Sequence, residues 1–253
     1  MKILMVSLTS SPIPSPENKI FAPGIFCYNL AKGLQERGHE IKVYAADDSK
    51  KDEIKIEGLG LPSTQHFSDM DSELQAWRRS QHELFTLSAA FEEFSRGEFD
   101  LLHLNSFPVA SYFCNFVSGP VCCTHHGAPD ETNDLKTDID KMRQKKYYKN
   151  MNFIAISNKQ KIIGNEYFNY KTVIHHGIDL NDFKFNADSS SDLVFVGRVI
   201  DIKGTDIAIQ STINAGGKLK IYGVHNDNIY WKEKICPFID GETIKYEGHK
   251  KFN

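Results

Sequence analysis

The chain has 253 residues, 40% hydrophobic and 25% charged, with a formal net charge of −3. This is the composition expected of a globular protein with one large or two medium domains, and the small acidic excess gives no electrostatic case for nucleic acid. No apolar run approaches the ~18 residues of a membrane span, and the apolar part of MKILMVSLTSSPIP is too short for a secretory signal.

The elements follow in chain order. Residues 2–7 (KILMVS) start as a continuous apolar run, the signature of a strand buried on both faces in a parallel sheet. Pro12, Pro14, Pro16 and Pro23 then impose a loop. Gly24 opens a helix with Ile25, Phe26, Leu30 and Leu34 on one apolar face and Gly38 as its C-cap. Ile41, Val43 and Ala45 alternate as a second strand, and residues 53–57 form a short one. The first strand-to-helix turn lacks Gly-x-Gly-x-x-Gly, which disfavours a nicotinamide site.

Ser68 and Asp71 read as a capping box before a long helix ending at Gly97. Its Leu74, Trp77, Leu84, Leu87, Phe91 and Phe94 are expected in the core. Strands at 100–104, 121–124, 153–156 and 172–175 alternate with helices at 109–117, 136–149 and 159–167, implying a parallel sheet with helices on both faces. The polar run 181–192, with its Asp-Ser-Ser-Ser-Asp, reads as a linker between domains at 1–186 and 187–253. A second βαβ pattern follows, with a buried strand at 193–196, a helix at 205–214, a strand at 219–222, a helix near 229–235 and a strand at 243–246. The five cysteines form no Cys-x-x-Cys and are expected to be reduced, packed as small hydrophobes in a cytoplasmic protein.

Two constellations carry chemistry. The first is the corner Gly197-Arg198 … Lys203-Gly204, where a strand feeds a helix N-terminus through a short loop. Free N–H groups, the helix dipole and two cations converge there on an anion, read as a diphosphate. Gly24 marks a second, weaker corner of the same kind. The second constellation is a repeated His-His-Gly, 125–127 and 175–177, each following a strand. Ligands of open parallel sheets bind at the carboxyl ends of strands. Adjacent histidines on a strand face opposite ways, so each pair is a poor metal chelate. One member packs and the other faces the rim, as a base or an orienting donor.

With these residues in view the chain resembles the retaining GT-B glycosyltransferases of family 4. The resemblance is carried by Arg37-Gly38-His39-Glu40, Thr124-His125-His126-Gly127, Ala155-Ile156-Ser157, the stretch from Val173 to Asp179, and Gly197-Arg198 with Lys203-Gly204. It implies an α/β architecture of GT-B type: a complete N-terminal Rossmann-like domain on the acceptor side and a partial second one for the nucleotide sugar. It implies His126 as the catalytic-site histidine near the reacting sugar, and Arg198, Lys203, Gly197 and Gly24 as the donor-diphosphate contacts. Gly127, Ser157, His176 and Gly177 are then the cleft rim. Gly24 matches the second glycine of a Gly-Gly loop in which this chain has Pro23 first.

The implied reaction moves a hexosyl group from a UDP-, GDP- or ADP-sugar to a sugar, lipid-linked or small-molecule acceptor, with no metal and no further cofactor. Peripheral membrane contact and self-association through the partial domain are further expectations, and nucleic acid is not expected as a partner. The family's Glu-x7-Glu motif is missing, since no two glutamates stand eight apart. The chain is therefore expected to be weak or inactive alone, the alternative being a non-enzymatic remnant that acts by binding.

Overall fold

The structure is a computed structural model that describes residues 1–16, 21–64, 71–106, 108–127, 138–183, 185–188, 191–225 and 229–250. It divides into two compact units, Met1–Ile178 and Asp179–Asn253. The division lies upstream of the Asp-Ser-Ser-Ser-Asp run.

In the first unit, seven parallel strands line up in the order β3-β2-β1-β4-β5-β6-β7. They are β1 (Lys2–Val6), β2 (Glu40–Tyr44), β3 (Lys55–Glu57), β4 (Leu101–Leu104), β5 (Val121–His125), β6 (Asn152–Ala155) and β7 (Tyr170–Val173). Central β1 shows why its run is continuously apolar. Alternation sends Ile3 and Met5 to one face, among Cys27, Tyr28 and Ala31 of α1 (Ala22–Glu36). Leu4 and Val6 go to the other, among Leu87, Phe91 and Phe94 of α2 (Ser72–Ser95). The strand order reverses direction between β1 and β4, so a ligand crevice is expected beyond Val6 and Leu104.

Several elements differ from the sequence reading. In α1 the buried face is Gly24, Cys27, Tyr28 and Ala31, whereas Ile25 is 43% exposed and Phe26 turns to the rim. The cap of α2 is Asp71 itself, whose side chain accepts from the N–H groups of Glu73 and Leu74; Ser68 lies outside the described residues. Trp77 is 61% exposed, and Leu74 and Leu84 are exposed as well. The helix has 24 residues, about 36 Å long, against five-residue strands of about 17 Å, so only its C-terminal half finds a sheet to cover. Residues 109–117 form two 3-10 turns, Ala110–Tyr112 and Cys114–Phe116, instead of a helix. The polar segment expected at 136–149 is α3 (Asp138–Arg143) running into a π-helical turn, Gln144–Tyr148. α4 spans Asn158–Gly164.

In the second unit, β8 (Leu193–Val196), β9 (Leu219–Tyr222) and β10 (Ile244–Gly248) form a parallel sheet in the order β10-β9-β8. α5 (Thr205–Asn214) follows β8, and a π-helical turn, Trp231–Ile235, precedes β10. Val199, Ile209, Leu219, Ile221, Ile235 and Ile244 make its core. The apolar strand 193–196, expected to be buried, is an edge: Leu193, Val194 and Val196 are all exposed, Val196 at 78%. β8 pairs with β9 on one side, and no strand covers its other side among the described residues.

Candidate functional site

The rim of the first unit is built from the residues that follow β4, β5 and β7. Asn105 follows β4, beside β1. Its backbone N–H and its Nδ2 both donate to the carbonyl oxygen of Val6, each at 3.1 Å, and Nδ2 also reaches Cys27 Sγ at 3.4 Å. Its Oδ1 lies 2.9 Å from Nε2 of His126. His126 Nδ1 lies 3.4 Å from Nε2 of His176, beyond the end of β7. Phe26 of α1 packs edge-on against His126, with centroids 5.0 Å apart, and against His176 at 4.2 Å.

The two histidines of the first pair have different surroundings, as strand alternation requires. His125 is 2% exposed, with Nδ1 2.5 Å from Tyr170 Oη and its ring among Phe153, Phe168 and Tyr170. His126 is on the rim. Burial holds the pKa of each at about 4, and for His126 the neighbouring His176, His103 and His125 add to the effect. His103, beneath them on β4 with Nε2 2.8 Å from Thr124 Oγ1, is also held at about 4 by burial. Burial lowers His176 too. At neutral pH the rim thus carries uncharged imidazoles that accept and donate without a formal charge.

Gln160 of α4 holds the loop under His126. Its Nε2 donates to the carbonyl oxygens of His125 (2.8 Å) and Gly127 (2.6 Å), while its Oε1 accepts from the N–H of Ile156 (2.6 Å). Ser157 is the N-cap of α4, its Oγ accepting from the N–H of Gln160 at 3.0 Å. Ser157 therefore fixes the residue that fixes the His125–Gly127 loop. His176 and Gly177 are exposed.

Gly24 is buried, and a Cβ there would lie 2.9 Å from the Phe21 ring and 3.0 Å from Ser15 Oγ. The glycine lets the proline loop fold under the helix start. The N–H groups of Gly24 and Ile25 both point to the Phe21 carbonyl oxygen, and Pro23 has none, so the first turn has few donors left for an anion.

In the second unit, Gly197 follows β8 and its N–H bonds the Tyr222 carbonyl oxygen at 3.0 Å. Arg198 is exposed and Val199 is fully buried, so the loop is pinned one residue after the guanidinium. A 3-10 turn, Asp201–Lys203, brings the exposed Lys203 to Gly204, which adopts a left-handed conformation (φ 67°) and caps α5 without a side chain. The N–H of Asp206 donates to Tyr230 Oη, whose hydroxyl donates back to Asp206 Oδ1 at 2.8 Å. Among the described residues no carboxylate pairs with Arg198 or Lys203, so both cations face solvent on one strand-to-helix connection.

Residues 24–182 match the family described as Glycosyltransferase Family 4. The chain belongs to glycosyltransferase family 4. No curated protein is a significant match. Solved structures with similar folds include AviGT4, a glycosyltransferase involved in avilamycin A biosynthesis (16% identity, TM-score 0.59, covering 99% of this chain and 64% of that one). Sucrose-phosphate synthase from Thermosynechococcus elongatus is similar at 12% identity with a TM-score of 0.70 (99% and 71%). Anabaena Alr3699/HepE, in complex with UDP and glucose, is similar at 14% identity with a TM-score of 0.59 (99% and 70%). The family 4 chain thus spans 64–71% of the length of these structures. Its fold is of GT-B type, with a seven-stranded Rossmann-like sheet and a smaller second one.

The sequence of this family 4 chain contains two Asp-x-Asp spacings, Asp69-Met70-Asp71 and Asp138-Ile139-Asp140. Asp71 is committed to capping α2, Asp69 lies outside the described residues, and the second spacing is in α3. No group of three metal-ligating side chains occurs among the described residues, and no described helix is long and apolar enough to cross a membrane.

Asn105, Phe26 and Gln160 were missed in the sequence. Asn105 had a signal: it is the first polar residue after an apolar strand, at the carboxyl end where ligands bind.

Proposed function

We propose that the chain carries out retaining, metal-independent transfer of a hexosyl unit from a nucleoside diphosphate sugar. The observation that carries this reading is the exposed cation pair, Arg198 and Lys203, on the strand-to-helix loop of the second unit, in a chain of this family. Breaking a sugar–phosphate bond leaves charge on the diphosphate. Two cations and the α5 dipole stabilise that charge without a metal. In the first unit, taken by itself, neutral His126 is suited to orient a sugar hydroxyl by hydrogen bonding or to stabilise positive charge through its backbone carbonyl. The UDP in the HepE complex supports a uridine nucleotide. The five free cysteines support a cytoplasmic setting.

The exposed edge of β8 favours a second reading, in which the chain is a non-enzymatic remnant that acts by binding a partner. Titration calorimetry with UDP, GDP and ADP tests the donor assignment. Binding of one of them, weakened about tenfold in Arg198→Ala, is the expected result; equal binding by both proteins refutes the diphosphate clamp.

A further inference from the structure

The orientation of the Asn105 amide is fixed by chemistry. The Val6 carbonyl oxygen can only accept, and Nδ2 donates to it at 3.1 Å. Turning the amide over would press Oδ1 against that oxygen, two acceptors in a buried site with no proton between them. Asn105 is 4% exposed, so water cannot relieve the clash. Cys27 Sγ, the second partner of Nδ2, belongs to a thiol that burial pushes up to about 12, so it stays protonated.

With Nδ2 committed, the group facing Nε2 of His126 is Oδ1, at 2.9 Å. An amide oxygen only accepts, so Nε2 must carry a hydrogen. A neutral imidazole has one N–H, so Nδ1 holds a lone pair. In this structure that lone pair faces His176 Nε2 at 3.4 Å, a long contact that a hydroxyl would replace at about 2.8 Å.

We propose that Asn105 is a positioning residue: its side-chain oxygen fixes His126 as the Nε2–H tautomer and thereby presents Nδ1 as an acceptor for a hydroxyl of the bound sugar. Phe26 keeps both imidazole rings from swinging away, packing against each. His176 is the second acceptor-side partner, donating to Nδ1 until the sugar displaces it. The sugar half of this statement rests on the glycosyl-transfer reading; the tautomer half does not.

The test is a long-range proton–nitrogen correlation spectrum of the full chain labelled with nitrogen-15 histidine at pH 7, with His126 assigned by the loss of its signals in His126→Gln. The expected result is a single neutral tautomer with the hydrogen on Nε2. In Asn105→Ala the equilibrium shifts about tenfold toward Nδ1–H, whereas Asn105→Asp, whose buried carboxyl has to hold a proton to donate to the Val6 carbonyl oxygen, still offers Nε2 an acceptor and retains Nε2–H. A wild-type His126 protonated on Nδ1 overturns the proposal, as does an Asn105→Ala spectrum with the tautomer unchanged. If Asn105→Ala does not fold, Asn105→Asp decides: Nδ1–H in that variant is equally fatal. With an accepted nucleotide sugar, Asn105→Ala lowers kcat at nearly unchanged KM, and Asn105→Asp recovers part of it. Failure of every nucleotide sugar and nucleoside diphosphate to bind, alongside the expected tautomers, removes the glycosyl-transfer reading alone. Turnover insensitive to Asn105 removes the positioning role alone.

Discussion

The carbonyl oxygen of Gly197 occupies the space that a side chain on Gly223 would need: a Cβ built on Gly223 lies 1.8 Å from it. Gly197 follows β8 and Gly223 follows β9, so this backbone contact sets how the loop bearing Arg198 leaves the sheet. Gly223→Ala has to push the two strand ends apart, breaking the bond from Gly197 N–H to the Tyr222 carbonyl or that from Gly223 N–H to Gly248. The expected cost is about 2–4 kcal/mol in urea unfolding of the second unit. Nucleoside diphosphate affinity should fall with it. Unchanged stability and affinity would show that the loop does not depend on this contact.

Three histidines of the first unit, His103, His125 and His126, are held at about 4 by burial, against about 6.5 in an unfolded chain. The unfolded state therefore binds more protons between those values. Stability is full above pH 6.5 and is lost as the pH falls toward 4, on the order of 3 kcal/mol for each histidine. Urea midpoints measured from pH 7.5 to 4.5 should drop mainly below 6.5, with a shallower slope in His103→Gln. A midpoint flat across that window would contradict the neutral, buried state of the three rings.

Gln160 uses one side chain to satisfy three backbone groups, the carbonyls of His125 and Gly127 and the N–H of Ile156. Gln160→Ala leaves them unpaired at a residue only 5% exposed, for an expected loss of about 2–4 kcal/mol. Amide exchange at residues 125–127 and 156 should speed up more than at β1, because the damage is local. Equal acceleration everywhere would mark Gln160 as a general core residue instead.

The opposite surroundings of His125 and His126 were legible because neighbouring residues on a strand alternate, whereas His175 and His176, expected to differ in the same way, lie beyond the end of β7 and are both exposed; the strand-to-helix corner at 197–204 was legible because a glycine, two cations and a helix start are adjacent in the chain. Trp77 was misread because apolar periodicity reports the face of a helix but not where the sheet beneath it stops. The exposure of Val196 was misread because a strand's composition does not say whether it is central or an edge. Residues 109–117 lie between Pro108 and Gly119-Pro120, and contain Val, Phe, Asn and Ser, weak helix formers; 3-10 turns won there. For Asn105 only the place after β4 was legible, not the partners. Its partners, Val6 and His126, are 99 and 21 residues away, so only the strand order β1-β4-β5 brings the three together.

The lipid-linked acceptor among the sequence expectations leads to a prediction about α3 and the turn after it. Ile139 is 63% and Met142 69% exposed. Lys141, Lys145, Lys146 and Lys149 are exposed on the same short segment. Apolar side chains beside lysines suit an anionic bilayer surface, where each lysine contributes about 1 kcal/mol near the headgroups. The segment is short and the chain's net charge is −3, so binding should be weak and lost in high salt. Co-sedimentation should show the chain on vesicles rich in phosphatidylserine and not on pure phosphatidylcholine. Lys145→Glu with Lys146→Glu should reduce the bound fraction at least fivefold, while Lys2→Glu, on the first strand, should leave it nearly unchanged. Equal binding to both vesicle types, or no effect of the double substitution, would remove the membrane contact and leave a soluble acceptor as the better expectation.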